Sequence, residues 1–231
     1  MGLSGGTDSG VAGETFDAGG AIVAGAGGAV TVGAGASYGG LGGNSIQALA
    51  GPAYGSPGDP IRLGSGGGGA LSSPGGAGGG LIHITAGTLS LLGRISANGG
   101  PSVRVAGTSG AGSGGGIRLD VGTLSGTSGL LQARGGAGIT FGSLSGAGGG
   151  GRIAIYYDTM TLPATNVTAF GSGGVNTGVT GAAGTVYLRD RARPPGDLVI
   201  DNGTVLSTRN TPLAEPLFNF QNVTLRGSSR L

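Results

Sequence analysis

The run GGGLIHITAGTLSLLGRISANGG at 78–100 decides how the chain is read. A glycine triplet leads into LIHIT at 81–85, where apolar and polar residues alternate, so Ile82 and Ile84 share one face of a strand. The same grammar returns in GGGIRLDVGTLSGTSGLLQARGG at 114–136 and in GGGRIAIYYD at 149–158, followed by MTLPATNVTAFGSGG at 160–174. A fourth copy begins as GTVYLRD at 184–190. The anchor pairs are Ile82/Ile84, Ile117/Leu119, Ile153/Ile155 and Val186/Leu188, and their first members lie 35, 36 and 33 residues apart. A near-constant spacing of this kind marks a repeat architecture.

Each unit holds three short strands. The anchor strand comes first, a second carries Leu89, Leu124 or Leu162, and a third is RISA (94–97), LLQA (130–133) or NVTA (166–169). A glycine-rich return follows at 99–116, 135–151 and 171–184. No stretch repeats apolar residues at the helical spacing, so almost no helix is expected. Strands at a fixed period without crossover helices predict an all-β, repetitive β-solenoid, with a right-handed parallel β-helix as its natural form. In that form Ile82, Ile84, Ile117, Leu119, Ile153, Ile155, Val186 and Leu188 make the internal stack. The glycine returns are either ordered, polyproline-II-like layers packed backbone to backbone or loose loops on the same scaffold.

Composition narrows the class. There are 60 glycines and 10 prolines in 231 residues, which raises the prospect of disorder, but a net charge of +2 and 37% hydrophobic residues do not fit a disordered chain. Glycine loses more backbone freedom on folding than any other residue, so a folded state needs dense hydrogen bonding. Cysteine is absent, which excludes disulfides and thiol chemistry. All 12 cations are arginine and are spread along the chain, with no patch suited to nucleic acid. Arg191 and Arg193 beside Pro194-Pro195 read as a solvated connector. No apolar run is long enough for a membrane span, and the N-terminus lacks the regions of a signal peptide.

The ends depart from the repeat. Residues 1–63 read as glycine-rich turns, with short strands at Ile22, Val30 and Val32, and a proline-bearing connector, GPAYGSPGDPIRL, at 51–63. Residues 64–190 are the repeats. Residues 191–231 are strand-rich, with a turn at Asp201-Asn202-Gly203, and read as continuing into a further repeat or a neighbouring subunit.

From Gly51 to Leu231, the combination GRISANGG, GGGGRIAIYY and GTVYLRD resembles the glycine-rich repeat regions of very large bacterial surface proteins. That resemblance implies export, modularity and a structural or adhesive role, with no established catalytic residues to carry over. It places the chain outside the cell or on its surface.

The chemistry-bearing residues are sparse. A phosphate-cradling loop needs a lysine and a following helix, and neither is present. Glycine-rich calcium repeats need an aspartate in each unit, and the runs at 64–80, 99–116 and 135–151 have none. An isolated cation site would have to use Asp8, Glu14 and Asp17, or Asp197 and Asp201. Asp120, Asp158 and Asp190 fall at similar phases of successive units, as the acids of a polysaccharide-cleaving β-helix would, but beside Arg118, Arg152 and Arg189 they read as a solvated edge of weak ion pairs. His83 stands alone and faces outward. Tyr156, Tyr157 and Tyr187 read as packing, with sugar stacking the alternative. The sequons at Asn166, Asn202 and Asn222 read as products of threonine-rich strands. Thr85, Thr88, Thr123 and Thr168 do not form the regular array an ice-binding face needs.

The expectation is therefore a non-enzymatic structural protein with no cofactor, no metal and no nucleic-acid partner. It would form a stalk or filament by associating end to end, or with flanking repeats of a longer chain. The alternative is an adhesin or fibre-tip module that contacts a glycan or a host surface.

Overall fold

The computed structural model describes residues 1–139, 144–173, 179–213 and 219–231. Parts of the glycine returns at 135–151 and 171–184, and the start of FNFQNVTLRGSSRL at 218–231, lie outside the described residues. Twelve strands and one 3-10 turn, Ala164–Asn166, make up the regular structure of the described residues, so the chain is all-β with almost no helix.

The repeats supply two sheets. In the larger one, β3 (Leu81–Ser90), β5 (Gly116–Ser125), β7 (Arg152–Tyr157) and β10 (Thr185–Asp190) pair in parallel. Their register places Ile82 opposite Ile117, Ile117 opposite Ile153, and Ile153 opposite Val186. Ile84, Leu119, Ile155 and Leu188 align in the same way one pleat further on. The smaller sheet pairs β4 (Arg94–Ser96), β6 (Leu130–Gln132) and β9 (Val167–Thr168), also in parallel, aligning Ile95, Leu131 and Val167. The inward faces of both sheets meet in one aliphatic core. Ile117, Leu119, Ile153 and Ile155 are fully buried there. Burying an aliphatic side chain of this size contributes about 1.5–3 kcal/mol.

The separate second strands expected around Leu89 and Leu124 are not separate. β3 and β5 each run ten residues, straight through Gly87 and Gly122. Ladder bonds use backbone groups, so a missing side chain does not interrupt them, and Thr88–Ser90 stay in register with Thr123–Ser125. In the third unit the strand breaks at Asp158 and resumes as β8 (Thr159–Met160), which pairs with β5. Leu162 is buried but lies beyond that strand.

The described parts of the glycine returns are held in a hydrogen-bonded layer. Each described return has two antiparallel limbs, and bonding along a limb rotates among three neighbours. In 109–115, the N–H groups of Ser109, Gly112 and Gly115 donate to the carbonyls of Val103, Gly100 and Ala97. Those of Gly110 and Ser113 donate to Gly68 and Ser65, and those of Ala111 and Gly114 to Gly146 and Gly149. A strand alternates between two neighbours, whereas a chain with three residues per turn serves three. The limb 145–151 follows the same rule, with Gly148 and Gly151 bonded to Gly136 and Ala133, and Ala147 and Gly150 to Val179 and Ala182. A methyl group has no room in this packing. A Cβ on Gly110 would lie 1.7 Å from the Ala34 carbonyl oxygen, and one on Gly148 would lie 1.9 Å from that of Gly112.

The first fifty residues add further limbs to the same glycine layer. Leu3 and Gly6 donate to Gly64 and Gly67, and Gly33 and Ala36 to Thr108 and Ala111. A short antiparallel hairpin, β1 (Glu14–Phe16) and β2 (Ile22–Ala24), projects from it. Val32 makes a single bridge to Thr108, and Val30 is exposed and outside any strand.

At the other end, β11 (Asp197–Asp201) reverses direction against β10, and β12 (Val223–Arg226) runs parallel to β11. Leu198 and Ile200 are fully buried against Ala183 and Phe220. Asn202, one of the three sequons, is also fully buried. Its carboxamide accepts from the Gly171 N–H and donates to the carbonyls of Gly181 and Val205, so it ties this turn to the last glycine limb. The large sheet thus ends at β3 on one side and at β12 on the other, with Leu81, Val223 and Leu225 exposed at these edges.

Candidate functional site

The outward face of the large sheet is covered where it crosses the proline-bearing segment 52–63, which acts as a strap. In β5, β7 and β10 the register aligns Arg118, Ala154 and Tyr187, and next to them Asp120, Tyr156 and Arg189. The Tyr156 hydroxyl donates to the Gly58 carbonyl at 2.7 Å. Arg118 pairs with Asp59 of the strap and, through Nε at 2.7 Å, with Asp120. Its guanidinium sits 4.9 Å from the Tyr156 ring centre, and Tyr156 packs edge-on against Tyr187.

Arg152 departs from the sequence reading. The sequence reads it as part of a solvated edge, but it is fully buried. It lies on the outward side of β7, yet the strap and the glycine limb carrying Tyr38 close over that side. Its Nε donates to the Tyr54 carbonyl at 2.9 Å and its Nη1 to the Thr185 hydroxyl at 3.2 Å. The Tyr38 ring lies 5.6 Å from the guanidinium and 4.7 Å from the Tyr54 ring. The Tyr54 hydroxyl donates to the Leu63 carbonyl at 2.6 Å and accepts from Ser65. Burial pushes the Tyr38 phenol up to about 12 and raises that of Tyr54 as well, so both stay neutral beside the arginine. A buried cation held by such hydrogen bonds fixes geometry at the cost of its own desolvation.

Tyr54 of this cluster also lines a cleft of about 570 Å³ between the β1–β2 hairpin and the strap. Phe16, Asp17, Pro52, Tyr54, Asp59 and Arg62 line it. The Phe16 and Tyr54 rings meet edge to face at 5.6 Å, and the Arg62 guanidinium lies 5.1 Å from the Phe16 ring centre. The Asp17 carboxylate accepts the Ala21 N–H at 2.8 Å, which holds the hairpin turn. The volume falls within the range of small-molecule sites, about 300–1,000 Å³. The other two cavities described, about 60 and 130 Å³, are smaller and lie beside the C-terminal strands.

The residues singled out from the sequence do not gather into a reactive site. Asp120 pairs with Arg118 and His83, Asp158 with Arg191, and Asp190 with Arg193. Register puts Asp120 opposite Tyr156 and Asp190 opposite Tyr157, so these two acids belong to opposite faces of the sheet. Asp8, Glu14 and Asp17 each accept backbone N–H groups, and among the described residues no three metal-ligating side chains converge. Asp197 bonds Asn222, and Asp201 bonds the Gly203 N–H.

Sequence reading missed the cleft. Phe16 is distant in the chain from Tyr54, Asp59 and Arg62, and none of the four belongs to a repeat. The available signal was the concentration of proline, tyrosine and charge at 51–63 in a chain with only 4% aromatic residues.

No helix among the described residues is long and apolar enough to cross a membrane. No family model matches the chain, and no curated protein or solved structure is significantly similar to it.

Proposed function

We propose that this chain is an extracellular structural protein, a segment of a bacterial surface stalk or filament built as a β-solenoid. In this reading the repeats coil as a right-handed parallel β-helix, and the glycine returns form polyproline-II-like layers beside it. The observation that carries it is the double register: the aliphatic anchors and the glycine limbs advance together, one unit at a time. A repeat that extends both a sheet and a backbone lattice suits length and stiffness more than chemistry. The exposed β3 edge, with Ile82 and Ile84 half-buried behind it, has the geometry that β5 presents to β7, and so suits another turn of the same kind. Association would run end to end or with flanking repeats. Glycine limbs held by this many backbone hydrogen bonds would also resist proteases.

Electron cryo-microscopy of the purified protein without ligand tests this. Regular fibres with an axial repeat matching stacked β-coils are the expected result. Discrete, unassembled particles at all concentrations would sink the filament.

The cleft supports a second reading, an adhesin or fibre-tip module that contacts a glycan or a host surface. Its observation is that an aromatic-floored cavity is built by the segments that do not follow the repeat, whereas a purely structural coil has no need of one.

A further inference from the structure

We propose that the cleft between the β1–β2 hairpin and the strap binds a short segment of neutral carbohydrate. This rests on the second reading above and names its site and ligand class.

The chemistry of the walls selects the ligand. Phe16, Tyr54 and Pro52 offer apolar surface, which suits the C–H faces of a pyranose ring. Asp17 and Asp59 bring acceptor oxygens. Each spends one oxygen inside the protein, on the Ala21 N–H and on Arg118 respectively, and keeps a second. Arg62 commits one nitrogen to the Gly20 carbonyl at 3.5 Å and holds further N–H donors. A sugar presents both hydroxyl donors and acceptors around an apolar ring, so it satisfies the three charged groups and covers the aromatic floor together. Hydrogen bonds to charged partners are the strong ones in such a site.

Other classes fit less well. A polyanion would face two carboxylates, and the charges of Asp17, Asp59, Arg62 and Arg118 cancel. A lipid chain would strip water from the carboxylates and give nothing back. The site is also positioned firmly. The strap is tied to the sheet through Gly58, Asp59 and the Tyr54 carbonyl, so the floor is set before any ligand arrives.

The test is titration calorimetry of the full chain with a panel of neutral oligosaccharides of glucose, galactose, mannose and N-acetylhexosamine, and with a sulfated oligosaccharide as the anionic comparison. Phe16→Ala removes the floor and Arg62→Met removes the donors. Thermal unfolding checks that each variant is folded, and either one suffices if the other is not. Saturable binding of a neutral oligosaccharide, weakened about tenfold or more by a folded variant, is the expected result, and it corresponds to about 1.4 kcal/mol. Binding that both folded variants leave unchanged overturns this site while the glycan-contacting reading survives. Binding of the sulfated probe alone overturns the neutral class. No binding up to millimolar concentration overturns the site and that reading together.

Discussion

The aliphatic stack and the glycine layer of this molecule obey opposite rules. In the stack, Ile117, Leu119, Ile153 and Ile155 fill space with side chains. In the layer, the limbs around Gly110 and Gly148 fill space with backbone, and the neighbouring carbonyls lie where a side chain would begin. The first should tolerate removal of volume at a graded cost, while the second admits no added volume. The comparison teaches that glycine richness in this chain is a packing specification, although in composition it looks like a sign of disorder.

The sharpest way to break the comparison is Gly110→Ala. With the new Cβ 1.7 Å from the Ala34 carbonyl oxygen, the limb carrying Ala34 and Gly35 would have to be pushed away, and a loss of more than about 4 kcal/mol in denaturant unfolding is expected. A loss under about 1 kcal/mol would mean that the limbs slide apart freely and the contrast is false. Next is Ile153→Ala, which should cost about 2–5 kcal/mol, with Ile153→Val costing about 0.5–1.5, the gradation expected of side-chain packing.

Arg152→Met probes the seam between the two regions. It would leave the Tyr54 carbonyl and the Thr185 hydroxyl without their donor, at a cost of about 1–3 kcal/mol in the same measurement. Gly87→Ala is the control. A Cβ there meets nothing within 4 Å, so the substitution should stabilise by about 0.4–1 kcal/mol by restricting the unfolded chain. Opposite signs for the same chemical change at Gly110 and Gly87 would confirm that location decides what glycine is for.

The smallest effect concerns Asp120. Its partial burial raises the carboxyl, but hydrogen bonds from Arg118 and His83 outweigh this and hold it below the ordinary carboxylate range. A depressed folded value gives stability that is present above the unfolded carboxylate range, about pH 4, and lost as the pH falls through the folded value. Asp120→Asn should therefore flatten the acid side of the stability profile slightly and leave neutral pH nearly unchanged.

Much of this architecture could be read from the chain. The spacing of Ile82, Ile117, Ile153 and Val186 is a local pattern with period two inside a repeat, and such patterns survive in any parallel stacking of equal units. The cleft was illegible for the opposite reason. Phe16, Tyr54 and Arg62 have no period, and their meeting depends on where the N-terminal limbs dock.

By itself, then, the sequence determined the anchor strands, their inward faces and an all-β chain with almost no helix among the described residues, because alternation and repeat length act through near neighbours. The tertiary structure alone decided that the described glycine limbs pack as a hydrogen-bonded layer, that Arg152 is buried and that a strap closes one face of the sheet. Each of those depends on backbone groups far apart in the chain meeting at hydrogen-bond distance, and a glycine carries no side chain to announce which partner it will meet.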